Sequence, residues 1–272
     1  MRQIIVRALG CLTSFGCVAV HASCVTSVDP SSILDLSHWK LTLPVDANHG
    51  TSGEAAEIAA AQLAAGYMSG YFCTSTSGGV KFWAPVNGAT TDDSEYPRSE
   101  LRQMLDPNDD NANWSPDTYT ASLAATLTIE RVPSSTRKVV IGQVHGFQSN
   151  AYIKLRYLYD PDTHTGSLAA LVNESPTSGT TNMGSIGGLP IGQPFTYSIK
   201  VSQRVFTIRV NGQVLTSFHV HYGWLHEPMY FKAGMYDQAN GTSSTDGGRV
   251  TFFELTAGAH LDMIFGDGLE VE

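Results

Sequence analysis

Apolar and polar residues alternate along most of the chain after residue 118. In YTASLAATLTIERV, every second residue from Tyr119 to Ile129 is apolar or aromatic. Successive side chains of a β-strand point to opposite faces of a sheet, so this spacing predicts a strand with one buried face. Similar patterns predict strands in the following segments: LDLSHWKLTLPV, KVVIGQVHG, AYIKLRYLYD, FTYSIKVSQRVFTIRVNGQVLTSFHV, MYFKAGMYDQ and GRVTFFELTAGAH.

Turn signals separate these predicted strands. The pair Asn211-Gly212 is typical of a two-residue hairpin connection, and Ser202-Gln203-Arg204 marks another turn. The Gly- and Ser-rich segments 176–192 and 240–248 are predicted to be loops.

One helix is expected before the alternating region. Thr51 and Glu54 have the spacing of a capping box ahead of the Ala-rich segment 55–65, and Gly66 follows as a stop signal. The Ala-rich composition favours a short helix that lies over a sheet rather than in the core.

The composition agrees with an all-β domain. The chain is rich in Gly, Ser and Thr, and no internal repeat, heptad or linker divides it. We therefore predict a single all-β domain, an antiparallel two-sheet β-sandwich of the jelly-roll type.

The N-terminus is typical of a secretory signal peptide. An Arg-bearing start and an apolar run are followed by small residues, and Val20-His21-Ala22 resembles a cleavage site. We predict that residues 1–22 are the signal peptide, that residues 23–272 form the mature domain, and that the protein is secreted. The apolar run is short for a membrane span, and no later segment is long enough, so no membrane association is expected. A lipoprotein anchor at Cys24 is the alternative, but His21 fits that motif poorly.

The chain has four cysteines, and their positions agree with export of the protein. Cleavage after Ala22 would remove Cys11 and Cys17 and leave Cys24 and Cys73. Two cysteines in an exported chain favour one disulfide, which would tie the new N-terminus to the body of the domain.

The charge balance excludes one class of partner. The formal net charge is −9, and loss of the leader with Arg2 and Arg7 makes it two units more negative. A nucleic-acid-binding protein has a basic footprint, so no nucleic-acid partner is expected. A polyanionic ligand would need a local positive cleft in this acidic protein.

Three predicted strands carry polar residues on one face and apolar residues on the other. The polar faces hold Arg98, Glu100 and Arg102 in RSELR, Gln143 and His145 in IGQVHG, and Tyr230, Lys232, Tyr236 and Gln238 in YFKAGMYDQ. Each face alone has an ordinary explanation, such as a solvated ladder of ion pairs. If the strands share one sheet, their faces form a mainly basic groove for an extended acidic ligand, with Gly234 leaving room for a ligand backbone.

These segments resemble a known family. YPRSELR, QVH and YFKAGMYDQ closely resemble, in the same order, three signature segments of the alginate lyases of polysaccharide lyase family 7, and LDLSHWKLTLPV resembles the family's opening strand. The resemblance spans essentially the whole mature chain. It implies a concanavalin-like jelly roll with a concave substrate groove. It also implies a monomeric enzyme that cleaves alginate by β-elimination with no metal or other cofactor.

The resemblance implies four catalytic residues. Arg98 and Gln143 match the groups that neutralise the substrate carboxylate, a role suited to a guanidinium fork and an amide. His145 and Tyr236 match the proton-handling pair. We expect Tyr236 to be the general acid for both block types and also the base for mannuronate, whereas His145 is the better base for guluronate.

Four further residues are expected to bind the substrate. Glu100 and Arg102 would orient Arg98 and line the groove, while Lys232 and Gln238 would bind neighbouring sugars. His219 and His221 alternate on one strand, but two histidines are weak evidence for zinc, so no metal site is expected.

Other activities remain open. The resemblance favours endo action with a preference for mannuronate, because the family's QVH form, with Val144, tends to accompany that preference. A lyase acting on glucuronan would use similar chemistry. A glycoside hydrolase needs two carboxylates, yet the groove strands offer only Glu100, and Glu254 has no acidic partner nearby. A non-catalytic lectin-like module would not need His145 together with Tyr236.

Overall fold

The computed structural model describes residues 24–92 and 94–262. The predicted signal peptide and the cysteines at positions 11 and 17 lie outside these residues. Within them, fifteen strands are formed: β1 (Trp39–Thr42), β2 (Glu57–Ile58), β3 (Phe72–Thr74), β4 (Val80–Pro85), β5 (Arg98–Gln103), β6 (Tyr119–Arg131), β7 (Lys138–Gly146), β8 (Ala151–Asp160), β9 (Thr165–Asn173), β10 (Thr180–Pro190), β11 (Pro194–Ser202), β12 (Val205–Val210), β13 (Gln213–His219), β14 (Met229–Asp237) and β15 (Gly247–Leu261). The helical elements are α1 (Ala60–Ala64) and two short 3-10 helices, Pro30–Ser32 and Tyr222–Trp224. None of the helices in the described part of the chain has the length and apolar character needed to cross a membrane.

The strands form two antiparallel sheets. One sheet has eight strands in the order β10-β9-β8-β7-β14-β5-β1-β2, and the other has seven in the order β13-β12-β11-β6-β15-β4-β3. The pairs between neighbouring strands are antiparallel throughout. The predicted all-β, two-sheet sandwich is therefore confirmed.

The core lies between the two sheets and is built from the apolar faces of alternating strands. The predicted buried face of β6 is found as expected, because alternate residues from Ala121 to Ile129 are buried. Across the core, the eight-stranded sheet contributes Leu101, Val144 and Phe231, each fully buried. Full burial of such a side chain contributes about 1.5–3 kcal/mol. The core thereby fixes which face of β5, β7 and β14 is turned away from it.

The predicted turns and the disulfide are confirmed. Gln203 and Arg204 connect β11 to β12 with positive φ values, and Asn211-Gly212 connects β12 to β13 with φ values of 48° and 77°. Cys24 is bonded to Cys73 on β3.

The helix is much shorter than predicted. It starts at Ala60, with Ala59 at its N-cap and the Gln62 side chain accepting the N–H of Ala59, so the spacing of Thr51 and Glu54 was misleading. Residues Glu57–Ile58 instead form β2, because their backbone groups pair with the edge of β1. The end of the helix before Gly66 was predicted correctly, as Gly66 has a φ of 91°.

The predicted loop over residues 176–192 is wrong. Most of this segment forms β10, an edge strand paired with β9 through two irregularities in register. Its residues are largely exposed, so the apolar alternation that identifies the other strands is missing. The predicted loop at 240–248 is found until β15 begins at Gly247.

One carboxyl group lies unpaired inside the sandwich. Asp237 has no exposed surface, and neither of its side-chain oxygens makes a hydrogen bond of ordinary geometry. Burial raises the pKa of this carboxyl well above its ordinary value, and the Asp246 carboxylate adds to the rise. The Gly248 backbone and Arg131 oppose the shift without cancelling it.

We expect Asp237→Asn to stabilise the protein at neutral and alkaline pH. The folded protein holds the Asp237 proton more tightly than the unfolded chain does, so stability is lost as pH rises from the ordinary carboxyl range of about 4. Between about pH 4 and the raised pKa of Asp237 in the folded protein, the free energy of unfolding of the wild type should fall, relative to that of the variant, by about 1.4 kcal/mol per pH unit. Thermal unfolding from pH 4 to 9 tests this, with Asp160→Asn in an exposed turn as the control. Parallel pH profiles for wild type and Asp237→Asn would contradict it.

Candidate active site

The three polar strand faces lie side by side. β14 is bordered by β7 on one side and β5 on the other, at the centre of the eight-stranded sheet. Lys232 is paired with Arg102 on β5 and with Gln143 on β7, while Tyr236 is paired with Arg98. Paired residues share a face of a sheet, so these side chains meet on the surface that faces away from the core.

A cavity of about 710 Å³ covers this surface. Arg98, Arg102, His145 and Lys232 all line it. Gln143 and Glu100 lie directly beneath, with 1% and 0% of their surface exposed. Gln238 is not part of the lining; its side-chain amide donates to the Asp237 carbonyl oxygen just beyond the end of β14.

The carboxylate of Glu100 is contacted by three other polar side chains of the site. Its carboxylate contacts Arg98 Nη1 at 3.2 Å and Lys232 Nζ at 3.1 Å, and it accepts a hydrogen bond from Gln143 Nε2 at 2.6 Å. Burial alone would raise the pKa of Glu100, but Lys232, Arg98 and Gln143 outweigh it and lower the pKa below its ordinary value. Burial lowers the pKa of Lys232 to about 8 despite the attraction of Glu100. Glu100 is therefore an ionised anchor that holds two cations and one amide.

The glycine at position 234 serves packing against β5. Its φ is 144°, and a Cβ there would come within 2.7 Å of the Ser99 carbonyl oxygen and 2.9 Å of Glu100 Cα. A side chain would therefore displace the strand that carries Glu100. This packing alone requires glycine at position 234, and the further role of leaving room for a ligand stays a prediction.

The His145 ring is held in one orientation. Nδ1 lies 2.8 Å from the Gly146 carbonyl oxygen, so Nδ1 carries the proton and Nε2 is the free proton acceptor. Tyr230 stacks on the ring at 5.4 Å with an interplanar angle of 13°, and its hydroxyl lies 3.2 Å from Nδ1. Burial and the nearby Lys232 and Arg98 cations lower the pKa of His145 to about 3. The imidazole is therefore neutral at neutral pH, as a base must be.

Tyr236 lies beneath the Arg98 guanidinium, whose central carbon is 4.0 Å from the ring centroid. The Tyr236 hydroxyl lies 3.1 Å from Ser94 Oγ, which also accepts a 2.6 Å hydrogen bond from Arg98 Nη2. Ser94 precedes β5 in a loop, outside the alternating pattern, and no sequence signal pointed to it.

Arg102 is held by a loop rather than by Arg98 or Glu100. Its Nη2 donates to the Asp110 carbonyl oxygen at 2.9 Å and to Asn113 Oδ1 at 3.0 Å. Its guanidinium carbon lies 4.2 Å from the Tyr230 ring centroid. The predicted orienting role toward Arg98 thus belongs geometrically to Glu100, while Arg102 lines the groove.

Three further cations, outside the predicted set of site residues, lie on this face. Lys40 on β1 is paired with Arg102, and its ammonium group contacts Glu57 and Asp110 at 2.8 and 3.0 Å. Lys154 and Arg156 on β8 alternate in phase with the groove residues of β7. Burial and the Arg98 cation lower the pKa of Lys154. The cleft is thus locally positive although the chain is acidic.

The residues that would suggest zinc binding or glycoside hydrolysis lie outside the lining of the cavity. His221 Nδ1 is 3.0 Å from the Tyr152 hydroxyl, and Glu254 accepts a hydrogen bond from Thr126 on the seven-stranded sheet. Within residues 24–92 and 94–262, His, Cys, Asp and Glu side chains form no group of three that could hold a metal ion.

The chain is similar to known alginate lyases. It matches the profile of the family described as "Alginate lyase" over residues 34–259. A curated relative, an alginate lyase of Klebsiella pneumoniae, is 27% identical over an alignment 299 positions long, gaps included, which covers 88% of this chain and 96% of that protein.

Solved structures show the same similarity. An alginate lyase from Pseudomonas aeruginosa is 38% identical over 83% of this chain and 100% of its own, with a TM-score of 0.73. Alginate lyase A1-II′, a member of polysaccharide lyase family 7, is 33% identical over 85% of this chain and 99% of its own, with a TM-score of 0.75. A form of A1-II′ with a His-to-Asn and a Tyr-to-Phe substitution has been solved in complex with the substrate GGMG.

Proposed function

The chain belongs to the alginate lyases of polysaccharide lyase family 7, and we propose that this lyase cleaves alginate by β-elimination in the groove above β5, β7 and β14. One observation carries the proposal. The neutral imidazole of His145 lines a groove together with Arg98 and Lys232, and the phenol of Tyr236, which is not itself part of the lining, packs against the Arg98 guanidinium. This arrangement suits a reaction that removes a proton from a sugar already bearing a negative charge.

The carboxylate of the substrate must be neutralised first. The proton on C5 of a 4-linked uronate lies next to the carboxylate, and its removal places further negative charge there. Arg98 is suited to bind the carboxylate through the guanidinium N–H groups that Glu100 and Ser94 leave free. Gln143 donates one amide hydrogen to Glu100, and we assign its second N–H to the substrate carboxylate.

Elimination then follows without further groups. In guluronate, His145 Nε2 accepts the C5 proton as the electron pair of the C5–H bond forms the C4–C5 double bond. The C4–O4 bond breaks, and the Tyr236 hydroxyl gives its proton to the departing O4. In mannuronate, H5 and O4 lie on the same side of the ring, and Tyr236 reacts from its phenolate form. The phenolate oxygen accepts H5, the C4–C5 double bond forms as the C4–O4 bond breaks, and the resulting phenol gives that proton to O4.

The finer preferences are also proposals. Cations extend from Lys40 on β1 to Lys154 on β8, a width that suits several consecutive uronates and therefore internal, endo cleavage. Val144 is fully buried, so the proposed preference for mannuronate would act through packing beneath the groove. We further propose that residues 1–22 direct secretion and that the mature domain, from residue 23, acts as a monomer.

The absorbance of unsaturated uronate ends tests the activity. We expect it to rise when the protein is mixed with alginate, faster with polymannuronate than with polyguluronate, and to be accompanied by products of mixed length. New reducing ends without this absorbance would indicate a hydrolase, and binding without either would indicate a lectin-like module. A rise with glucuronan alone would reassign the substrate.

Substitution of His145 should separate the two block types. We expect His145→Ala to retain most activity on polymannuronate and to lose guluronate cleavage by about 10²-fold or more, because only the latter needs a base opposite Tyr236. His226→Ala is a control, since His226 is an exposed histidine paired with Asp117. Equal losses on both polymers would rule out this division of roles.

A further inference from the structure

The hydroxyl of Ser94 joins two side chains that the proposed mechanism uses. Oγ accepts the 2.6 Å hydrogen bond from Arg98 Nη2 and lies 3.1 Å from the Tyr236 hydroxyl. Ser94 and Tyr236 are 142 residues apart in the chain, so the contact depends on the tertiary fold.

The backbone carbonyl of Tyr96 is a second possible acceptor for the hydrogen of the Ser94 hydroxyl. Oγ lies 3.2 Å from the Tyr96 carbonyl oxygen and 3.3 Å from the Tyr96 amide nitrogen. A serine hydroxyl has one hydrogen and two lone pairs. Its hydrogen can point to the Tyr96 carbonyl oxygen or to the Tyr236 oxygen by rotation about the Cβ–Oγ bond, while Oγ stays in place.

We propose that Ser94 is a positioning residue. Its hydroxyl holds the Arg98 and Tyr236 side chains in fixed positions relative to each other, and the hydroxyl hydrogen changes its partner when Tyr236 gains or loses its proton. This inference rests on the proposed role of Tyr236 as the general acid. With Tyr236 protonated, Oγ accepts from Arg98 and Tyr236 in preference to the more distant Tyr96 N–H at 3.3 Å, and its own hydrogen bonds to the Tyr96 carbonyl oxygen. When the Tyr236 proton has passed to O4, the Ser94 hydrogen turns to the phenolate. Ser94 neither gains nor loses a proton in either state.

A structural role alone does not account for these contacts. Ser94 is only partly buried and lies outside the strands, so its hydroxyl adds little to the core. Each bond it makes in the groove is to a side chain assigned to the reaction. Its loss should therefore change turnover and its pH dependence more than stability.

Three variants test the proposal. In Ser94→Ala, we expect kcat to fall by about 10- to 100-fold, as for loss of hydrogen bonds to charged groups, with a smaller change in KM. On polyguluronate, where Tyr236 acts only as the acid, the alkaline limb of the kcat–pH profile should move to higher pH, because the phenolate loses a donor. Ser94→Thr keeps the hydroxyl and should restore most of kcat. Ser75→Ala is the matched control, since Ser75 Oγ also accepts a turn N–H, from Ser77 at 3.2 Å, in the other sheet.

The outcomes separate this inference from the proposed function. A wild-type protein that forms no unsaturated uronate overturns the function. If the wild type is active and Ser94→Ala has the same kcat and pH profile, the role of Ser94 is overturned. It is also overturned if folded Ser94→Thr is as impaired as Ser94→Ala, or if Ser75→Ala gives the same change in profile. Loss in Ser94→Ala with recovery in Ser94→Thr supports it.

Discussion

Replacing Tyr236 with Phe should lower kcat for alginate by about 10²–10⁴-fold, because the variant has no hydroxyl to protonate O4. Phe keeps the aromatic ring, whose centroid in Tyr236 lies 4.0 Å from the central carbon of the Arg98 guanidinium. Tyr236 itself is 9% exposed, so the ring stays packed after the substitution. Only the contact of the hydroxyl with Ser94 is lost, which costs about 0.5–1.5 kcal/mol of stability. Initial rates of absorbance change on polymannuronate and polyguluronate measure the effect, and both should fall because both need the acid.

The control for Tyr236→Phe is the same chemical change outside the groove. Tyr159 lies near the far end of β8, and its hydroxyl contacts His164 Nδ1 at 3.3 Å. Tyr159→Phe should retain full activity on both polymers. A folded Tyr236→Phe protein that still turned over either polymer at a rate close to that of the wild type would remove Tyr236 from the mechanism.

The alternation of residues predicted the part of the fold that the core controls. β6 and β8 bury one face and leave much of the other accessible, whereas β7 and β14 are buried on both faces. In all four the core-facing residues are mainly apolar, so a period of two was visible in their sequences. β10 was missed because an exposed edge strand is held by backbone pairing with β9 and has no need of apolar alternation. The helix was overextended for a related reason, since pairing with β1 decides the conformation of Glu57 and Ile58. Local propensity cannot report a partner that is distant in the chain.

The residues of the site differ in the same way: some can be placed from the local sequence, and others depend on partners that are distant in the chain. Residues on strands, such as Arg98, His145 and Tyr236, can each be placed on the polar face of their own strand from the spacing in the sequence, and the order of β5, β14 and β7 in the sheet then brings these faces together. Ser94 cannot, because its position depends on how a loop meets a strand 142 residues away. The central role of Glu100 is also hidden, since the sequence shows it between two arginines but not that Lys232 and Gln143 converge on it.

Substitution of Glu100 with Gln should cause the second large loss, affecting both stability and activity. The free energy of unfolding should fall by about 3–5 kcal/mol, because Arg98 and Lys232 lose a fully buried counterion and repel each other. kcat/KM should fall by at least about 10²-fold, since Arg98 and Gln143 lose the group that aims them. Denaturant unfolding and steady-state kinetics at one pH measure the two effects.

The pH dependence of Glu100→Gln distinguishes an electrostatic cause from a loss of packing. Glu100 is the charge that opposes the effect of burial on Lys232, whose pKa is about 8. Without it, Lys232 should lose its proton at lower pH, so the deficit in activity should grow between roughly pH 6 and 8. Glu130→Gln is the matched control: this carboxylate is 2.7 Å from Arg249 Nε on the seven-stranded sheet, so its loss should cost stability without changing kcat. A deficit in Glu100→Gln that is constant over this range would show that Glu100 acts by shape and not by charge.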